Sequence, residues 1–241
     1  MNTKKIILTI LFIMAISAQS FAHYLWVETA ASGTLNQQQE IRVYFGEYTY
    51  GVIEEVKGEN FPNVKDFSLW VLDSEGNKTQ LQVTAQKDHY VAHYVPKSAG
   101  TYTVLLNNDS IDVIDYTEYD FGIFKTHYHS VAKFQVGAAE NETIVQNEKG
   151  LSIKRFPVSE EAIKLQVFFK NKPLANNELK VFVKDLWSKT LETDENGMVS
   201  FQLPWDTKYI VETTFEERTP GTYKGEEYEF IWHCATTSLN P

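Results

Sequence analysis

A chain of 241 residues that is 43% hydrophobic, 14% aromatic and 22% charged can bury a sizeable core and lies outside the composition range of disordered chains. Its formal net charge of −10 excludes nucleic-acid binding as a leading role, because such affinity comes from basic residues meeting phosphates. The single cysteine, Cys234, excludes an internal disulfide, so packing must supply the stability.

Residues 1–22 read as a cleaved signal peptide. Lys4 and Lys5 precede the apolar run 6–16, which is too short to span a bilayer, and Ser20-Phe21-Ala22 places small residues where a signal peptidase reads them. Cleavage there leaves a chain beginning at His23. Loss of the two lysines takes the net charge from −10 to −12. The expected product is periplasmic or secreted and not inserted in a membrane. Its leader has no cysteine to carry an acyl anchor.

From His23 onward, turn signals recur roughly every 8–12 residues, the spacing of an antiparallel β-sandwich. Strands are expected at 24–28, 40–45, 67–72, 79–84, 89–95, 101–106 and 126–136. The polar stretch 138–150 reads as a linker. A second set of strands follows at 163–169, 179–183, 198–203, 209–215 and 227–233. The expected fold is therefore all-β, with two Ig-like or transthyretin-like β-sandwich domains, 23–137 and 151–241. One larger β domain is the alternative. The acidic run Asp112, Asp115, Glu118 and Asp120 reads as a solvated loop. The five tryptophans read mainly as inter-sheet core.

The segment 171–181 followed by Thr193-Asp194-Glu195-Asn196-Gly197 and the strand ending at Pro204 resembles the carboxypeptidase-regulatory or transthyretin-like module. Taken in order, four features resemble an exported bacterial family of unknown function once described as a periplasmic nickel-uptake component. They are His23 with Leu25-Trp26, then His127-Tyr128-His129, then that module, and finally Tyr228-Glu229-Phe230-Ile231-Trp232-His233. The resemblance implies a periplasmic protein associated with transition-metal transport and a membrane metal transporter as partner.

The residues themselves offer metal chemistry. A terminal His23 would present an α-amine and an imidazole from one residue, and a second imidazole would complete a histidine brace for copper(II) or nickel(II). His127 and His129, at i and i+2 of a strand, leave the same face and can grip one ion. His23, His127 and His129 are thus the expected ligands for nickel, cobalt or copper, with zinc also accommodated. His89 and His93 are weaker candidates, since four strand residues separate them by about 13 Å. His233 is raised only by the resemblance. Each histidine also has a plain reading as a chain end or a solvated strand residue. No catalytic signature is present, so the expected function is metal capture and not catalysis. The rivals are an adhesive or glycan- and protein-binding module without metal and, ranked last, a copper monooxygenase built on the brace.

Overall fold

The structure, a computed structural model, describes residues 23–138, 147–156, 162–184 and 187–239. The proposed leader and most of the expected linker lie outside these residues. Among them no helix is long and apolar enough to cross a membrane. The fold is all-β, as the alternating patterns predict.

One ten-stranded sheet organises the chain. Its main path runs Ser188–Glu192, Glu178–Phe182, Tyr209–Glu217, Phe230–Leu239, Gly122–Val136, Gly100–Asn108, Ser68–Leu72 and Lys78–Gln80. The two halves of the sequence meet at its centre, where Gly122–Val136 pairs in parallel with Phe230–Leu239 and sets Phe124 opposite Phe230 and Val131 opposite Thr237. The halves expected as separate domains thus share a sheet, while keeping separate cores.

Those cores lie on opposite faces of the shared sheet. On one face, a five-stranded sheet built on Tyr24–Thr29, Gln39–Glu47 and Tyr90–Tyr94 covers Ala132, Phe134 and Val136 and encloses Leu25, Val27, Ile41, Val43, Phe61 and Val104. On the other face, a four-stranded sheet built on Leu151–Arg155 and Ile163–Phe169 encloses Ile153, Leu165, Val167, Val181, Val211, Ala235 and Leu239. The alternation of side chains along a strand produces this offset, because even positions of 122–136 feed the first core and odd positions of 230–239 feed the second. A third cluster ties the halves together, with Tyr24, Trp26, Tyr44 and Tyr48 packed on Ile210 and Cys234.

Several expected elements are redrawn. The segment 79–84 is two strands, Lys78–Gln80 and Thr84–Ala85, in different sheets. Residues 227–233 divide between the hairpin strand Glu226–Tyr228 and the long strand Phe230–Leu239. Strand Leu151–Arg155 is an addition to the expected set, since its only apolar residues, Leu151 and Ile153, alternate with polar ones over just five positions. The acidic run is solvated as expected, with all four residues exposed, but it is not all loop: it includes the strand Val113–Tyr116 and the 3-10 turn Thr117–Tyr119, which ends on Asp120 in the left-handed conformation, φ 57°.

Candidate metal centre

The shared sheet decides which histidines meet. Parallel pairing sets His127 directly opposite His233, and His129 follows two residues on along the same face. The ring centroids stand 5.1 Å apart for His127 and His233, 5.4 Å for His129 and His233, and 6.4 Å for His127 and His129. His233 is fully buried and His129 nearly so. The pair His127 and His129 therefore shares a face, and His233, promoted by resemblance alone, is the third member of the cluster.

His23 stands elsewhere. Its carbonyl accepts the Tyr128 hydroxyl at 2.8 Å, its Nε2 meets Glu54 at 2.8 Å, and its ring leans on Phe45. Tyr128 lies between His127 and His129 and points the opposite way, so His23 is on the other face of the sheet. The expected grouping of His23 with His127 and His129 around one ion is not assembled. His89, in the bend before strand Tyr90–Tyr94, pairs with Asp88 and leans on Tyr44, and His93, within that strand of the five-stranded sheet, faces Glu40 at 3.8 Å.

Hydrogen bonds fix the tautomer of His233. Glu217 Oε2 lies 3.0 Å from His233 Nε2. Burial works against the Glu217 charge, but hydrogen bonds from Lys170 and His233 outweigh it and hold its carboxyl below the ordinary range. An ionised carboxylate only accepts, so His233 Nε2 carries the hydrogen. Around His129, Asn147 Nδ2 donates to Leu151 O at 2.9 Å and its Oδ1 accepts from the Lys149 amide, which fixes the orientation of that group. His129 Nδ1 meets both an acceptor, Asn107 Oδ1 at 2.6 Å, and a donor, Asn147 Nδ2 at 2.9 Å, so either ring nitrogen of His129 can carry the hydrogen.

His129 Nε2 and His233 Nδ1 face each other at 3.1 Å, and His233 Nδ1 offers a lone pair because its Nε2 carries the hydrogen. One tautomer of His129 donates Nε2–H to that lone pair, and the other turns a second lone pair toward it. Burial pushes both imidazoles toward the neutral form, His129 well below its ordinary value. Their separation is also that of two nitrogens held about 2.0–2.1 Å from one ion at roughly a right angle. Glu217 and Asn107 occupy the positions of the outer acceptors that orient metal-binding imidazoles.

His127 completes the cluster. Its Nδ1 is buried without a hydrogen-bond partner, and desolvation, followed by His233 and Lys125, lowers it to about 4. Among the described residues no three His, Cys, Asp or Glu side chains already converge as a cage, so the seat offers two aligned nitrogens and a third ring beside them. Gly150 closes it from above. A Cβ on Gly150 would lie 2.2 Å from His129 Nε2 and 2.9 Å from His233 Nδ1, so glycine alone fits there. The turn 147–150, in the stretch expected to be a linker, is thus the roof of the cluster.

No curated protein matches the chain. Residues 20–217 match a family of domains of unknown function, which spans the shared strand carrying His127 and His129 and ends at Glu217, before His233. The chain belongs to the DUF4198 family, a domain of unknown function.

Proposed function

We propose that this protein is an exported carrier that binds a divalent transition metal through His127, His129 and His233 and passes it to a membrane transporter. The observation that carries the reading is the 3.1 Å approach of two buried imidazole nitrogens, His129 Nε2 and His233 Nδ1, with the His127 ring beside them. Imidazole is a good ligand for nickel, cobalt, copper and zinc alike, and neutral imidazoles need lose no proton to bind. Nickel remains the first metal to test because of the resemblance noted above, which also supports a periplasmic setting and a transthyretin-like second half. The metal is cargo in this reading, and the protein is a carrier and not an enzyme. The roof formed by Asn147 and Gly150 suits enclosure of an ion more than turnover of a bulkier substrate.

The chain's own residues divide the work. Glu217 holds the His233 ring with its bare Nδ1 inward, Asn107 and Asn147 hold the His129 ring, and Lys170 keeps Glu217 charged. His127, whose ring stands beside both others and whose Nδ1 is buried without a hydrogen-bond partner, adds a third ligand. Titration calorimetry with Ni(II), Co(II), Cu(II) and Zn(II) tests the reading. The expected result is one site per chain for at least one metal, lost in the His129→Ala, His233→Ala variant. Absence of binding by all four metals below millimolar concentration would leave the three histidines as a structural polar cluster.

A further inference from the structure

A second feature lies on the face of the shared sheet opposite the histidines, beyond the end of the five-stranded cover. Phe124, Phe230 and Trp232 project there, and Phe121 packs edge-on against all three at 4.9, 5.7 and 5.3 Å. Tyr116 joins through Phe124, and Tyr119 through Tyr116. The outer rings are open to solvent, with Tyr119 68%, Tyr116 46% and Phe121 41% exposed. The backbone presents them deliberately. Asp120 at φ 57° and Gly122 at φ 96° bracket Phe121, and the Phe121 amide donates to Tyr116 O, which throws the Phe121 ring out over the neighbouring strand.

The surroundings of these rings are acidic. Phe121 and Phe230 line an open depression of about 400 Å³ whose other walls are Asp120, Glu216, Glu229 and Arg218. Arg218 is already matched, since its guanidinium meets Glu216 at 3.1 Å. Glu118 adds a further carboxylate on the turn that carries Tyr119. Exposed contiguous aromatics mark interaction surfaces. Aromatic faces and carboxylates together favour a guanidinium or ammonium, which gains cation–π and charge-assisted contacts at once. A second copy of this acidic chain would bring like charges together, which disfavours self-association through this face.

We propose that the platform formed by Tyr116, Tyr119 and Phe121 beside Asp120 and Glu229 is a docking site for an arginine- or lysine-rich segment of another protein. This proposal is independent of the metal reading, because the platform and the histidines occupy opposite faces of the sheet.

The test uses the full exported chain and a fluorescently labelled Arg-Gly repeat peptide, with binding read by anisotropy at about 0.02 and 0.15 M salt. The Tyr119→Ala, Phe121→Ala variant keeps every charge and should bind at least about tenfold more weakly at both salts, while Tyr119→Phe restores most of the affinity. Asp120→Asn with Glu229→Gln should weaken binding to a similar extent. Glu75→Gln with Glu195→Gln, acidic positions in turns away from the rings, should leave it unchanged. Equal loss in that distant control, or full binding by the aromatic variant, would overturn the proposal, since either reduces the peptide to a counterion of the whole chain. A neutral oligosaccharide that binds through the same rings, with no binding of the peptide, would equally replace it with a glycan platform. Should the double variant fold poorly by circular dichroism, Tyr119→Ala alone reads the same question, since that ring is mostly exposed.

Discussion

His129 Nε2 and His233 Nδ1 face each other at 3.1 Å across the boundary between the two halves of the sequence, close enough for one ion to hold both. An ion that binds only the folded chain stabilises it. Metal at about a hundred times its dissociation constant should therefore raise the stability of the chain by about 2.7 kcal/mol. Thermal unfolding with and without Ni(II) or Cu(II) measures this. The gain should vanish in the His129→Ala, His233→Ala variant, while a gain that survives there would place the metal elsewhere.

The roof supplies a second test that leaves every ligand in place. Gly150→Ala sets a methyl against the two facing nitrogens, at distances below any real contact. Metal affinity should fall at least tenfold, about 1.4 kcal/mol. Metal-free stability should fall by about 1–3 kcal/mol as the turn is pushed outward. Calorimetric titration beside a melting curve separates the two effects.

His23 gives the opposite expectation. It lies on the far face of the sheet, so a chain that begins with one extra glycine before His23 should bind metal at the His127, His129 and His233 cluster with unchanged affinity. A tenfold loss on extension would return the α-amine to the site and support a histidine brace.

Glu212 sets a pH dependence. It is buried between Tyr24, Cys234 and the neighbouring Glu47, one of its oxygens has no partner, and burial, joined by Glu47 and Glu178, raises its carboxyl to about 7 against the pull of Lys180. A raised carboxyl holds its proton in the folded chain after the unfolded chain has released it. Its contribution to stability is thus intact below about pH 4.5, declines as pH rises toward 7, and remains lost above that. Glu212→Gln should stabilise the protein at pH 8 by a few kcal/mol, up to about 3. It should make little difference at pH 4. Denaturant titrations at the two pH values check the sign, and equal effects at both would show that ionisation of Glu212 is not the cause.

Ser130 and Thr236 fasten the first strand to the shared sheet. Ser130 Oγ accepts the Val27 amide at 3.0 Å, and Thr236 Oγ1 donates to Leu25 O at 2.8 Å. Ser130→Ala strands a buried amide and should cost about 1–3 kcal/mol in chemical denaturation. A loss below about 0.5 kcal/mol would mean that the strand finds another acceptor.

The sequence alone determined the all-β class, most strand positions and the common face of His127 and His129, because a strand repeats every two residues and that period is local. The turns at Gly76 and Gly197 were legible for the same reason, since their left-handed backbone selects the residues that stand there. Tertiary structure decided the partners. Nothing between residues 127 and 233 announces that their strands pair in parallel, yet that pairing brings His233 beside His127 and turns two expected domains into two cores on one sheet. The same alternation that places His127 and His129 together sends Tyr128, and with it His23, to the opposite face. Gly150 falls in a stretch whose polar composition reads as linker, while its role depends on which side chains lie beneath it. Local periodicity fixes the direction of a side chain, but a site between strands more than a hundred residues apart is set by long-range register, which only the packed sheets specify.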